Sequence, residues 1–272
     1  MKAFFLPLDR GRRLCLLHAG EHTTQPRGAI LFIHPFAEEM NKSRRMAALQ
    51  ARALADAGWV VLQIDLFGCG DSEGEFGEAE WSQWVSDVLE AAAWLRKETG
   101  VMPSLWGIRT GCLLAVQAAR QLEPSPKLLL WQPIIDGSHF LQQFLRLKLA
   151  GQLLVSGTPS RTGTEELRAR LRSGETVEIS GYSVSPALAS GLEAARLSPL
   201  AVPTQVAWLE IAATADAELT PAARRCVQEW QSAGSEVDAR IVEGPAFWQS
   251  LEIAECPKLL DATSAVLKNW HG

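Results

Sequence analysis

The chain has 272 residues, of which 47% are hydrophobic and 21% are charged, and this composition allows one α/β domain with an insertion to bury a large core. Its formal net charge of −5 argues against a nucleic-acid partner, and the absence of an apolar stretch of about 18 residues argues against a membrane span. The N-terminal apolar run is too short for a signal peptide and has no small-residue cleavage site, so we expect a cytoplasmic protein.

Short apolar runs alternate with segments of helical periodicity, which predicts a mostly parallel central sheet with helices on both faces. In chain order, the predicted strands cover residues 3–8, 13–18, 29–33, 59–64, 104–106, 127–132, 204–210 and 237–242. The predicted helices cover residues 43–57, 81–97, 110–121, 221–233 and 258–270. Gly58 occupies the capping position at the end of the first helix.

The alternation breaks down between residues 136 and 197. This segment predicts an inserted cap of helices with one additional strand at residues 176–179. The predicted organisation is therefore an α/β core formed by residues 1–135 and 198–272, with a cap insertion formed by residues 136–197.

The segment DLFGCGDSEG, residues 65–74, follows a predicted buried strand directly. Its glycines allow a tight turn, and Asp65 can accept hydrogen bonds from local backbone amides. The segment resembles the D-x-x-G-x-G-x-S turn of α/β-hydrolases. We interpret it as a structural turn and Cys69 as unreactive, with a nucleophilic role for Cys69 as the alternative.

The segment WGIRTG, residues 106–111, joins a predicted strand to a predicted helix. It resembles the G-x-S-x-G nucleophile elbow, in which flanking glycines let one side chain project above the sheet. Here that side chain is Arg109, which stays protonated and has no lone pair with which to attack an acyl group. Arg109 either points into a pocket and binds an anionic group, or forms an internal ion pair with an acid such as Glu38 or Glu39.

The loop HPFAEEMN after the first buried strand stands where α/β-hydrolases carry H-G-x-G and supply a backbone amide to the oxyanion hole. Its proline has no N–H, but the amide of Phe36 or Ala37 can donate. We expect His34 to orient this loop, and direct participation of His34 in catalysis is the alternative.

Two later loops stand where the acid and the histidine of a catalytic triad are expected. The segment ATADAELTP places Asp216 at the position of the acid, although Asp216 can also simply open the turn before the next helix. The segment GPAFW places Phe247 where a histidine belongs. No histidine lies between His139 and His271, so a shift of a few residues does not supply a base.

These motifs cover most of the chain, which resembles the exosortase A system-associated hydrolase 2 family of the α/β-hydrolase superfamily. The resemblance rests on the segment HPFAEEMNKSRRM, the arginine-bearing elbow and the G-P-x-F-W segment. It implies an α/β-hydrolase fold and a bacterial role near exopolysaccharide production and surface-protein sorting. The fold alone does not establish hydrolytic activity.

Two functions follow from these residues. The first is an unconventional hydrolase or acyl transferase, in which water activated by Glu39, or Ser43 or Cys112, replaces the usual nucleophile. Ser43 better fits the N-cap of its helix, and Cys112 better fits buried packing. The second is a binding protein that uses Arg109 to hold an anionic small molecule, with aromatic side chains stacked on its acyl or sugar portion.

The five cysteines are scattered and form no C-x-x-C pair, so we expect reduced thiols and neither a disulfide framework nor a metal site. We also expect no cofactor. The candidate catalytic residues are Arg109, Asp216, Glu39 and His34. The candidate substrate-binding residues are Phe36, Glu38, Trp106, Ile108, Thr110, Phe247 and Trp248.

Overall fold

The computed structural model describes residues 1–20, 26–156, 163–214 and 216–270, with only the backbone described for residues 149–156. The strands are β1 (Lys2–Leu8), β2 (Gly11–His18), β3 (Ala29–Ile33), β4 (Val60–Ile64), β5 (Ser104–Ile108), β6 (Leu128–Trp131), β7 (Val177–Ile179), β8 (Tyr182–Val184), β9 (Gln205–Ala212) and β10 (Glu236–Glu243). The helices are α1 (Glu38–Asp56), α2 (Trp81–Thr99), α3 (Gly111–Ala119), α4 (Gly137–Ser156), α5 (Thr164–Arg172), α6 (Pro186–Ala194), α7 (Pro221–Ser232) and α8 (Pro257–Leu267), with a 3-10 turn at Phe76–Glu78.

Within these residues the central sheet has the strand order β1-β2-β4-β3-β5-β6-β9-β10. The β1–β2 and β2–β4 pairs are antiparallel. The remaining pairs of this sheet, which join β4, β3, β5, β6, β9 and β10 in that order, are parallel. The predicted mostly parallel sheet is therefore confirmed. Parallel strands place their carboxyl ends at one edge of a sheet, and the turns that follow β3, β5 and β10 meet there.

Helices cover both faces of the sheet because successive residues of a buried strand point to opposite sides. Leu31 and Ile33 of β3 belong to the core cluster that contains α2 and α3. Ile30 and Phe32 belong to the second cluster, which contains α1 and α8. All five residues of β3 are buried, which explains why this strand reads as an unbroken apolar run.

Helix α1 begins at Glu38, five residues before the start that the sequence predicted. Two acidic residues in its first turn favour this earlier start, since carboxylates are stabilised at the positive end of the helix dipole. Ser43 is consequently an interior residue and not the N-cap. Its side chain is buried, and its hydroxyl has no hydrogen-bond partner among the described residues. Gly58 follows the helix with a φ of 90°, as predicted.

The chain between β6 and β9 contains α4, α5, the β7–β8 hairpin and α6. Its two ends meet in a β-bridge between Asp136 and Arg196, whose side chains form an ion pair at 3.3 Å. Only the first strand of the hairpin was predicted. The second was missed although its turn residues Ser180 and Gly181, with φ values of 49° and 85°, are typical of a tight hairpin.

The described helices include none that combines the length and the apolar character needed to cross a bilayer.

Candidate functional site

The turn between β5 and α3 holds Arg109 in a left-handed backbone conformation, with a φ of 55°. This conformation is uncommon for a residue that has a Cβ atom. A Cβ at Gly107 would lie 2.5 Å from the backbone nitrogen of Cys112, and a Cβ at Gly111 would lie 2.3 Å from the carbonyl oxygen of Ile33. The turn therefore requires both glycines, as a nucleophile elbow does, and the side chain that it presents is Arg109.

Arg109 forms a hydrogen-bonded ion pair with Glu39 in the first turn of α1. Its Nη2 donates to Glu39 Oε1 at 3.0 Å, and its Nε lies 3.3 Å from Oε1 and 3.2 Å from Oε2. The two side chains are 15% and 19% exposed, so neither is fully withdrawn from solvent. Burial raises the pKa of Glu39 and outweighs the lowering effect of Arg109. The internal ion pair is thus present, with Glu39 as the partner.

The guanidinium of Arg109 also lies against an aromatic side chain. Its central carbon is 5.2 Å from the centroid of the Trp248 ring, a distance at which a cation is attracted to the ring face. The neighbouring Phe247 is buried and contacts Trp131 and Trp248 at centroid distances of 6.3 Å and 5.3 Å. Phe247 therefore packs in the core and offers no proton acceptor.

The backbone amide of Phe36 is already hydrogen-bonded. Its N–H donates to the hydroxyl oxygen of Thr110 at 2.9 Å, and both residues are buried. This amide is the predicted donor of an oxyanion hole. In this conformation a substrate oxygen would have to displace the Thr110 side chain to reach it.

His34 holds the loop after β3 in place. Its Nδ1 lies 2.8 Å from the carbonyl oxygen of Pro35, and its Nε2 accepts the N–H of Leu66 at 3.2 Å. Burial lowers the pKa of His34, which favours the neutral ring that can donate at one nitrogen and accept at the other. With both nitrogens bonded to backbone, His34 orients the loop and has no free nitrogen for proton transfer.

The turn after β4 is built as a structural turn. Asp65 accepts the N–H of Asp71 at 3.3 Å and pairs with Arg44 at 3.0 Å. Cys69 is buried, and burial raises the pKa of its thiol, which keeps it protonated and unreactive.

Asp216 lies in an exposed loop between β9 and α7. A hydrogen bond from Thr214 lowers the pKa of Asp216. Within the described ranges, Asp216 has no hydrogen bond or ion pair with Arg109, so the structure does not bring the predicted acid into the cluster. His271 lies outside the described residues.

Trp106 and Ile108 are fully buried side chains of β5, and this corrects their expected place beside a ligand. Trp106 packs between Phe32 and Trp131 in the core, so it has no exposed ring face on which a ligand can stack. Cys112 is likewise buried, and burial raises the pKa of its thiol.

Glu38 is exposed and faces the β7–β8 hairpin instead of Arg109. It accepts the hydroxyl of Tyr182 at 3.2 Å and the side-chain amide of Asn41 at 3.4 Å. Burial and the nearby Glu38 raise the pKa of Tyr182 to about 12. The sequence analysis did not include Tyr182 among the candidate site residues, although it is the single tyrosine of the chain.

Similar proteins share the fold over nearly the whole chain. Est1E from Butyrivibrio proteoclasticus, solved with ferulic acid bound, superposes with a TM-score of 0.66 at 16% identity, covering 98% of each chain. Mouse alpha/beta hydrolase domain-containing protein 10 gives a TM-score of 0.57 at 16% identity, covering 98% of this chain and 99% of that one. These superpositions establish the α/β-hydrolase fold that the sequence predicted. At such low sequence identity they do not establish an activity.

Sequence comparison identifies relatives over part of the chain. Human Protein ABHD12B is 30% identical over 115 residues, which is 42% of this chain and 30% of that protein, so the match spans less than a third of that relative's length. The family model described as serine aminopeptidase S33 (Hydrolase_4) matches residues 24–200, well over half of the chain. On this match, the protein belongs to the serine aminopeptidase S33 family of α/β-hydrolases.

Proposed function

We propose that the protein is a non-catalytic member of its family that binds a small molecule through an anionic group at Arg109. The observation that carries this proposal is the identity of the side chain on the elbow turn, a permanently charged guanidinium held beside Glu39 and Trp248. A guanidinium cannot attack an acyl carbon, but its paired N–H groups match the two oxygens of a carboxylate or phosphate.

The surroundings of Arg109 support binding over triad chemistry. Phe247 stands in the loop after β10, where a triad histidine is expected. The backbone N–H of Phe36 is already bonded to the hydroxyl oxygen of Thr110. Removing the nucleophile or the base of a serine protease costs on the order of 10⁶ in turnover. A hydrolase mechanism that depends on a Ser-His-Asp triad therefore finds no support at this site.

The ligand would exchange with Glu39. Because burial raises the pKa of Glu39, this side chain takes up a proton at a higher pH than an exposed glutamate does. Protonation removes the countercharge of Arg109 and leaves the guanidinium available to a ligand anion. We expect affinity for anions to rise as pH falls through the pKa of Glu39.

An unconventional hydrolase or acyl transferase is the second candidate, and the raised pKa of Glu39 is the observation that favours it. A carboxylate with a raised pKa can act as a general base toward water, and Arg109 would stabilise the negative charge that develops on the substrate. For either function, the resemblance to the exosortase A system-associated hydrolase 2 family implies a bacterial role near exopolysaccharide production and surface-protein sorting. We propose a cytoplasmic location, as expected from the N-terminal sequence.

The experiment that tests the proposal combines an activity assay with a binding assay. Purified protein is incubated with short p-nitrophenyl esters and a fluorophosphonate probe, and is titrated calorimetrically with benzoate, which joins a carboxylate to a ring. We expect no labelling, no turnover, and benzoate binding that is lost in Arg109→Gln. Arg45→Gln is the matched control, because Arg45 pairs with Glu255 at the surface and should leave binding unchanged.

Other outcomes separate the candidates. Labelling of a serine would contradict the proposal outright. Ester turnover that disappears in Glu39→Gln would select the unconventional hydrolase, and turnover that disappears in Asp216→Ala would show that an acid outside the Arg109 cluster is catalytic.

A further inference from the structure

A cavity of about 450 Å³ lies within the cap, between α4, α5 and α6. Its lining shares no residue with the cluster formed by Arg109, Glu39 and Trp248, so it is a separate place on the molecule. The lining consists of Leu141, Arg168, Leu171, Arg172, Gly174, Pro186, Ala187, Ala189, Ser190 and Glu193.

One side of the cavity is apolar and well packed. Leu141, Leu171 and Ala189 come from three different helices and are all buried members of the larger core cluster. A wall fixed in this way keeps its shape, and it favours an occupant with an aliphatic body because apolar surface is removed from water on binding.

The charged side of the cavity has more positive than negative groups. Arg172 Nη2 donates to Glu193 Oε1 at 3.1 Å, and Arg168 Nε lies 3.7 Å from the same oxygen. Two guanidinium groups thus share one carboxylate among the lining residues. Arg172 also pairs with Glu165 at 3.3 Å. Arg172 is 57% exposed and Glu165 is 75% exposed, so solvent screens this second pair, and Glu165 does not line the cavity.

Arg168 also carries a donor that lacks an acceptor. Its Nη2 is fixed by the carbonyl oxygen of Ser138 at 2.7 Å and by the Ser138 hydroxyl at 3.2 Å. Its Nε is buried and has no hydrogen-bond acceptor in the part of the chain that the structure describes, because the 3.7 Å separation from Glu193 is too long for a hydrogen bond. A buried donor without an acceptor is unfavourable, and it leaves the charge of the Arg168 guanidinium incompletely neutralised. The Nε atom itself is closed to solvent, so an occupant of the cavity meets the positive charge of Arg168 and not this donor.

We infer that this cavity binds a small aliphatic carboxylate. The carboxylate accepts hydrogen bonds from Arg172 and lies near the positive charge of Arg168, and the aliphatic body lies against Leu141 and Leu171. A monoanion matches the single excess positive charge of the lining, which a phosphate dianion would exceed. The inference is independent of the function proposed for Arg109.

The test is calorimetric titration of the full chain at pH 7 with hexanoate, with acetate as the anion without an aliphatic body and hexan-1-ol as the body without the charge. We expect hexanoate to bind at least tenfold more tightly than either. Ser190→Trp fills the cavity from an exposed position and should abolish hexanoate binding. Arg172→Gln should weaken binding about tenfold, the usual effect of losing one charge-assisted hydrogen bond.

Arg170→Gln is the matched control for Arg172→Gln. Arg170 lies on the same helix and pairs with Glu175 outside the cavity, so its replacement should leave hexanoate affinity unchanged. Circular dichroism and thermal unfolding confirm that each variant is folded. Hexanoate binding that survives Ser190→Trp, equal affinity for hexan-1-ol, or no hexanoate binding at all would each overturn the inference.

The same titration distinguishes this cavity from the Arg109 site. Hexanoate binding that is lost in Arg109→Gln but retained in Ser190→Trp would place the ligand at Arg109, which contradicts the inference about the cavity and leaves the proposed function intact. Binding lost in Ser190→Trp but retained in Arg109→Gln is the result that supports the cavity.

Discussion

Replacing Arg109 by methionine leaves Glu39 without its countercharge and tests the electrostatics of the site directly. The side chain of Glu39 is 19% exposed and loses all three contacts with the guanidinium. In the variant, Glu39 can become neutral by binding a proton. The loss of folding stability from its unpaired charge at pH 7 therefore cannot exceed the free energy of protonating a glutamate of ordinary pKa, roughly 3.7 kcal/mol. Part of this cost is already present in the wild type, because the pKa of Glu39 is raised there. We therefore expect Arg109→Met to lower the free energy of unfolding by about 2 kcal/mol at pH 7.

The sign of the pH dependence follows from the same pKa. A raised pKa means that the native state holds the Glu39 proton more tightly than the unfolded chain does. The stability that this group contributes is complete below the unfolded pKa, about 4.3, and is lost as pH rises through the folded pKa. At pH 5 the upper limit on the cost of Arg109→Met falls to about 1 kcal/mol, so the destabilisation should shrink on acidification.

Urea unfolding at pH 7 and pH 5 measures these differences, with the m-value as a check on two-state behaviour. Arg45→Met removes the cation of an exposed pair with Glu255 and should cost about 0–1 kcal/mol at both pH values. Adding Glu39→Gln to Arg109→Met should recover stability at pH 7, because the buried charge is then gone. An Arg109→Met cost that is the same at both pH values, or that Glu39→Gln does not relieve, would refute this account of the pair.

Three further changes test the site. Arg109→Ser alone should yield no p-nitrophenyl esterase activity, because Phe247 supplies no general base. Robust turnover would show that a residue other than 247 acts as the base. Thr110→Val removes the acceptor of the buried Phe36 N–H and should cost about 1–3 kcal/mol in urea unfolding, whereas a loss under about 0.5 kcal/mol would mean that the amide finds another acceptor. Glu39→Gln keeps the guanidinium but removes the competing carboxylate, so calorimetry should find tighter benzoate binding at pH 7 and a flatter pH dependence; weaker binding would contradict the exchange of Glu39 with the ligand.

Much of the fold could be predicted from the sequence, because burial on both faces leaves a strong local signal. Strand β3 was predicted with its observed bounds, since all five of its residues are apolar and buried. The start of α1 could not be predicted in this way. The first turn of that helix contains two glutamates and no side-chain cap, so its boundary depends on the turn at Ala37 and not on a capping motif.

The partner of Arg109 could be predicted only as a choice between two acids. Consecutive residues of a helix point about 100° apart, so only one of Glu38 and Glu39 can face the elbow once both lie in the first turn of α1. The sequence prediction left both residues in a loop, where this constraint does not apply. The bond between the Phe36 amide and Thr110 was also beyond prediction, because it joins two turns 74 positions apart.

Two strained turns meet at the site, and their strain bears on what the scaffold does. Ala37 and Arg109 have φ values of 50° and 55°. Such conformations of residues other than glycine cost of order 1–3 kcal/mol each and persist only where the surroundings enforce them. Here the surroundings do so: the Arg109 N–H donates to the carbonyl of Trp131 at 3.0 Å, and the adjacent Thr110 side chain holds the Phe36 amide next to Ala37. In an esterase this strain aims a hydroxyl at the substrate. In this protein the same backbone conformation holds the Arg109 guanidinium between the carboxylate of Glu39 and the indole ring of Trp248. The strained turn therefore positions a permanent positive charge where an esterase positions a hydroxyl.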